Sequence, residues 1–300
     1  MQRRFSVLSD EQAEQFLTHG HVVIKNCFSR EAARTLTDRT FPRLGYDPND
    51  EATWEAKRIH MPVHDRFEVK DFAPKAWAAM GDLLGGEERI KTPCTWGDGF
   101  IVNLGGPEDA ETWQPPSAEV PGWHKDGDWF VHFLDSPEQG LLTIVVWSDI
   151  APTGGGTFFA CDSVPVVARF LAERFEGVRP GGFPFKEMVR ECHDFIEATG
   201  EVGDVFLIHP YLLHASSQNA LRVPRLITNP AVSLQEPMRF DRPDPSEFSL
   251  VEQAVLRGLG VERLSFAPAS PRERVTPERE IRQKKMLEEE RARLAATAAS

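Results

Sequence analysis

Asp204-Val-Phe-Leu-Ile-His-Pro-Tyr-Leu-Leu-His-Ala-Ser-Ser-Gln-Asn219 is the stretch whose reading decides the fold. Its first half is a short apolar run suited to a buried strand. Pro210 has no N–H for a ladder and breaks the run, and a second short run carries His214. Outward in both directions the same texture continues. Short runs at 99–104, 122–131, 141–150, 157–161, 193–199, 204–208, 212–217 and 225–234 alternate with Gly-, Pro- and Asn-rich joints. Eight short strands of this kind predict a β-sandwich or barrel. One helix, 164–175, interrupts them. Upstream, Ser9-Asp10-Glu11 starts a helix that runs to His19, and 21–24 reads as a strand. Ser29 caps a helix over 30–39, 41–64 is irregular, and a helix over 74–84 closes at Gly85-Gly86.

The 300 residues are 41% hydrophobic and 27% charged, an ordinary globular balance. The length allows one large domain or two smaller ones. The β pattern and its N-terminal helices favour one domain over 1–270, with a β core at about 95–236. The segment 271–300 stands apart as a charged helical tail. Its first 23 residues, 271–293, hold eight basic and six acidic residues with almost no apolar stripe. That pattern reads as a solvated helix or a frayed end, helical over 286–299. A net charge of −12 argues against nucleic acid or an anionic membrane as partner, since both need a basic face. No apolar run approaches the ~18 residues that span a bilayer, and no secretory signal follows Met1, so a cytoplasmic protein is expected. Cys27, Cys94, Cys161 and Cys192 form no Cys-x-x-Cys and read as reduced thiols.

Nine histidines leave the question of which could hold a metal. In a strand, residues i and i+2 share a face, so His124 and Asp126 would project together. His214 can supply the third ligand. Two histidines and a carboxylate on a β scaffold leave three open positions, the facial triad of non-haem Fe(II) oxygenases. Zinc fits less well, because no thiolate is placed for it and no Glu stands inside a His-x-x-x-His pair. His209, before Pro210, reads as a structural residue. Arg225 stands eleven residues after His214. Pointing inward, it needs a carboxylate partner, and no acidic residue lies nearby in sequence. A co-substrate carboxylate would complete it; pointing outward, it would need none.

These positions, with Trp147 and Ser216, resemble the phytanoyl-CoA dioxygenase (PhyH-like) family of Fe(II)/2-oxoglutarate-dependent oxygenases. The resemblance runs from about Gln12 to Leu234. It is densest in Gly122-Trp-His-Lys-Asp-Gly-Asp128, Val145-Val-Trp-Ser-Asp-Ile-Ala-Pro-Thr-Gly-Gly-Gly156 and Gly203 to Ser216. It implies a fold that is mainly β with flanking α, a double-stranded β-helix (jelly roll, cupin-like) packed against N-terminal helices. It implies His124, Asp126 and His214 as catalytic iron ligands. It implies Arg225 on the distal carboxylate of 2-oxoglutarate with Ser216 assisting, Trp147 as an aromatic wall, and Asn103 as a further co-substrate contact. Two departures stand out. Ala160-Cys-Asp-Ser163 replaces a Pro-Gly-Ser-His found in many members, and 106–121 is an insertion expected to form a lid or loop over the mouth.

The activity so implied consumes O2 and 2-oxoglutarate, releases succinate and CO2, and hydroxylates or otherwise oxidises a small organic metabolite. The Asp126 carboxylate favours this over halogenation, which needs that position vacated. Phe100, Trp129, Phe130 and His132 are the candidate substrate contacts. The charges balance, because Fe(II), Asp126 and dianionic 2-oxoglutarate leave one negative charge, which Arg225 neutralises. The expected partner is the small-molecule substrate, and the expected state a monomer or homodimer. Two alternatives remain: a cupin-type metalloenzyme that does not use 2-oxoglutarate, and a non-catalytic binding protein retaining the fold.

Overall fold

Residues 5–298 are described by the computed structural model. The chain is mostly antiparallel β, with helices packed around the sheets. Leu141–Val146, six consecutive buried apolar or β-branched residues, sits inside the larger sheet. The strand order there is His21–Ile24, Val205–Ile208, Leu141–Val146, Arg225–Thr228, Ile101–Asn103, Arg58–His60, with Ala231–Val232 also paired to Leu141–Val146. A smaller sheet runs Leu213–Ser216, Thr157–Ala160, Phe195–Ala198, and Arg66–Glu68 pairs Thr95–Gly97 on its own. The two larger sheets meet through rings. Phe159 of the smaller sheet lies 5.9 Å from Phe206 and 5.3 Å from His21 of the larger one.

The N-terminal helix Asp10–His19 starts with Ser9 and Gln12 capping each other's backbone N–H groups and ends at Gly20 in the left-handed region. Leu250–Leu259, a helix absent from the sequence reading, has the same reciprocal cap between Ser249 and Glu252. It packs on Val164–Ala172 and on the N-terminal helix.

Seven of the eight expected strand regions hold a strand, each shorter than expected, with 141–150 ending at Val146. The region 225–234 is split in two around Pro230. The exception is 122–131, which is no strand at all. Gly122 and Gly127 have φ of +87° and +123°, so the extended run cannot continue past either. Only isolated bridges form there, His124 to His214 and Phe130 to Arg274.

The C-terminal segment also departs from its reading. Its helix begins earlier, at Glu278, and runs to Ala298. The expected helical stretch 286–299 therefore lies inside it, except for Ala299, which is outside the described residues. The helix is not solvated all round. Glu290 is fully buried, and its Oε2 accepts from Arg43 Nε and pairs with His64 Nε2, both at 2.8 Å. Arg43 is equally buried and also donates to Asp98. The apolar stripe is missing because this helix docks through charge.

Candidate active site

The free edge of Leu213–Ser216 is where the site is assembled. His124 and His214 exchange both backbone hydrogen bonds across that edge, at 3.0 and 2.8 Å. The two rings are thereby held 4.4 Å apart. Each Nδ1 faces a carbonyl of its own chain, Gly122 O at 2.7 Å and Leu212 O at 3.1 Å. A carbonyl only accepts, so Nδ1 carries the proton and Nε2 keeps its lone pair. Both Nε2 atoms face Asp126, at 3.5 Å from Oδ1 and 3.7 Å from Oδ2. The three ligand atoms lie within 4.8 Å of one another. Among the described residues this is the one such His, Cys, Asp and Glu group. Two neutral nitrogens and one carboxylate converging at this spacing fit a divalent metal.

Burial by itself would raise the Asp126 carboxyl. Its interactions with His124 and His214 outweigh burial and hold it well below the usual range. Burial likewise works against the His124 cation, but Asp126 raises its pKa above the ordinary value. A metal needs the Nε2 lone pair, for which a proton competes, so metal affinity falls as pH drops.

Asp126 is held from outside the cluster. Asn229 Nδ2 donates to Asp126 Oδ2 at 2.6 Å. Nothing in the sequence singled out Asn229, which stands as one polar residue inside the expected run 225–234. Partners of this kind set the orientation of a ligand. Asn229→Ala is expected to weaken metal affinity by about 10- to 100-fold with the fold intact, measurable by Ni(II) or Fe(II) titration.

Arg225 begins the Arg225–Thr228 strand, paired with Asn103. It is 1% exposed. Its Nε donates to Gly155 O at 2.8 Å and its Nη1 to Ile101 O at 3.2 Å, and no carboxylate pairs with it among the described residues. Burial, then the nearby Arg58 cation, lowers its pKa to about 9. Gly155 has φ +83°, and a side chain there would meet the Asn103 amide at 2.8 Å. The glycine turn at 154–156 is what lets a carbonyl reach the guanidinium.

Next to the metal cluster lies a cavity of about 880 Å³. His124, Asp126, Trp129, His132, Thr228 and Asn229 contribute to its wall. Trp129 and His132 thus stand where substrate contacts were expected. Phe100 and Phe130 do not line it. Phe100 is in the core, 5.7 Å from Trp147, and Phe130 is buried with its ring 4.2 Å from His132. Trp147 lies among Phe28, Phe72 and Phe100, and its Nε1 donates to the hydroxyl of Thr228. It reaches the cavity through that hydroxyl. Asn103 spends its side chain on Ser217 O and the Gly105 N–H, and Ser216 ends the His214 strand, half-buried.

The insertion 106–121 was expected over the mouth, yet none of its residues lines this cavity. Asp109 instead accepts the Asn219 N–H, and Thr112 meets Gln218, so the insertion is tied beside the 217–219 turn. The wall comes from the C-terminal segment. Arg274, Arg279 and Gln283 face the cavity, and Arg279 grips both oxygens of Asp128 at 2.6 and 2.8 Å. Val131 and Val275 add backbone hydrogen bonds that join 129–131 to 273–275.

All four cysteines are buried and free. No helix among the described residues is long and apolar enough to cross a membrane.

No family model matches the chain, and no curated protein matches it in sequence. It is similar to several solved structures. One is SnoK, a non-heme alpha ketoglutarate dependent carbocyclase from nogalamycin biosynthesis, at 14% identity over 76% of this chain and 84% of that one, TM-score 0.44. A second is HygX from Streptomyces hygroscopicus with nickel, 2-oxoglutarate and hygromycin B bound, at 16% identity over 76% and 88%, TM-score 0.43. A third is EctD from S. alaskensis with 2-oxoglutarate and 5-hydroxyectoine, at 16% identity over 90% and 88%, TM-score 0.39.

Proposed function

We propose that this protein is an Fe(II)/2-oxoglutarate-dependent dioxygenase of the PhyH-like type, built on a double-stranded β-helix. In this reading it hydroxylates or otherwise oxidises a small organic molecule and releases succinate and CO2. The observation that carries the proposal is a pairing of two features. A His–Asp–His cluster opens onto a cavity, and the guanidinium of Arg225 is buried nearby without an acid. A buried unpaired cation is costly, and it is retained where a ligand supplies the missing charge.

The roles follow from the contacts. Nε2 of His124 and of His214 and one Asp126 oxygen would hold the iron, with Asn229 fixing the other Asp126 oxygen. Arg225, steadied by two carbonyls, presents its remaining N–H groups to the distal carboxylate of 2-oxoglutarate. In this reading Ser216 assists that carboxylate. Asn103 holds the 217 and 105 turns around it, and Trp147 fixes the Thr228 hydroxyl in the wall. The bound iron, once O2 arrives, supplies the oxidising power, while the protein orients both substrates and limits water. We place the protein in the cytoplasm, as a monomer or homodimer of one domain.

Two measurements test this. Fe(II) and 2-oxoglutarate added without O2 should give a weak visible charge-transfer band. Folded, iron-loaded protein without that band would favour the cupin-type enzyme that needs no 2-oxoglutarate. Arg225→Met should raise the dissociation constant for 2-oxoglutarate about a hundredfold or more and leave metal affinity unchanged. The apoprotein should not lose stability, because the variant removes an unpaired buried charge.

A further inference from the structure

We infer that the substrate carries an oxyanion, a carboxylate or a phosphate, and that Lys125 binds it in the cavity beside the metal cluster. The inference rests on the oxygenase reading above and adds the substrate class to it.

Charge makes the first case. The chain has a net charge of −12, yet its cavity is basic. Five lysines and arginines line it against three carboxylates. Two of the five are spent inside the wall, as Arg279 pairs with Asp128 and Arg274 with Glu280. The third carboxylate is Asp126, committed to the metal. Lys125, Lys91 and Arg66 remain without an ion pair among the described residues. Lys91 and Arg66 are exposed, like other cations without an acid such as Arg34, Lys75 and Arg263, so it is the buried Lys125 whose missing partner marks a place for a negative charge from outside.

Lys125 is the strongest of the three, because it is built in. It is 7% exposed, whereas Lys91 and Arg66 are at the exposed rim. Its ammonium donates to Asp126 O at 3.0 Å and to His132 Nδ1 at 2.8 Å. His132 can accept because its Nε2 faces Gly127 O at 2.8 Å, which places the ring proton there. These two acceptors take two of the three N–H groups. Phe130 and Phe183 stand 5.8 and 5.5 Å from Nζ, close enough to favour a cation but unable to neutralise it. Gly127 makes the arrangement possible. A side chain there would lie 2.4 Å from the His132 ring and 2.8 Å from Phe130. The chain therefore spends a positive-φ glycine, a neutral histidine and two aromatic rings to hold one buried lysine amine at the cavity wall, where burial brings its pKa down to about 7.

This cation is not needed for 2-oxoglutarate, which has Arg225 for its distal carboxylate. Anchored by Lys125, an oxyanion would hold the rest of the substrate over the metal cluster, with Trp129 as a flanking apolar surface.

The test uses protein loaded with Ni(II) and 2-oxoglutarate, which fills Arg225 and two of the three open metal positions; an anion taken up by the third would bind Lys125→Gln as well and so is told apart. Benzoate, phenyl phosphate and benzamide are titrated in by calorimetry. One of the two anions is expected to bind at least tenfold more tightly than benzamide, and the tighter one names the oxyanion. Lys125→Gln should remove the preference while 2-oxoglutarate binds as before. Lys91→Gln with Arg66→Gln, both at the exposed rim, should weaken the same anion two- to threefold. Equal binding of benzamide and both anions to the wild-type protein overturns the inference, whether or not Lys125→Gln folds. So does a preference that survives in folded Lys125→Gln. If the wild-type protein fails to bind 2-oxoglutarate in the loading step, the oxygenase reading itself fails, which separates the two outcomes.

Discussion

Asp126→Ala is expected to abolish succinate release, and His214→Ala to do the same. The reasoning starts from the geometry of the cluster. Only three side chains converge there, and Asp126 is the one that carries charge. Removing it leaves two neutral imidazoles 4.4 Å apart, a weak grip on a divalent ion in a partly dry site. Losing a residue that only orients a ligand costs about 10- to 100-fold, so losing a ligand should exceed the upper end of that range. The fold should survive. Asp126 lies outside any strand, and its carboxylate bonds only the cluster and Asn229. Circular dichroism and thermal melting of the apoprotein should therefore match the wild type, while succinate assays and metal titration collapse. Appreciable turnover in either variant would mean that the ligands are misassigned.

The second large effect is on stability. Glu290→Ala should destabilise the protein by about 3–5 kcal/mol, the usual cost of removing one partner of a buried ion pair. Glu290 and Arg43 are both fully buried, and Glu290 Oε2 also meets His64. With Glu290 gone, Arg43 keeps Asp98 and the Pro62 carbonyl, but its Nε loses its acceptor and His64 loses its partner. Neither can turn to water, because the helix Glu278–Ala298 covers them. Urea unfolding should show the loss, and added salt should recover little of it, since screening barely reaches buried charges. The same helix leads back to Arg279 and Gln283 in the cavity wall, so Glu290→Ala should also weaken substrate binding. A wild-type unfolding midpoint for Glu290→Ala would mean that the helix is not held by charge.

Much of this protein is legible without coordinates, for a physical reason. Strand character comes from local β-branching and apolar runs, which is why the run at Val205 is read nearly to the residue and the run at Leu141 starts where expected, though it ends four residues early. The cap at Ser9 and the stop at Gly20 are likewise local, written within four residues. His124, Asp126, His214 and Arg225 are visible because their residue types suit only a few chemistries and their order is a recognisable pattern.

Other features depend on groups that are distant in sequence and meet only on folding. His124 and Asp126 converge although they are not on a strand, because His124 bridges His214 ninety residues away and Gly127 turns the chain. Asn229 becomes a support for Asp126 across 103 positions, and Glu290 becomes buried because Arg43 waits 247 positions earlier. A highly charged helix has no apolar stripe to betray that contact, so its sequence reads as solvated. Lys125 shows the same division. Its position between His124 and Asp126 is plain in the sequence, but one lysine looks like any other there. Only packing against Phe130, His132 and Phe183 dries it, leaves it without an acid and turns it toward the cavity. The residue types and local pattern set which chemistry was available; tertiary burial decided which charges went unmatched, and so what the cavity is built to receive.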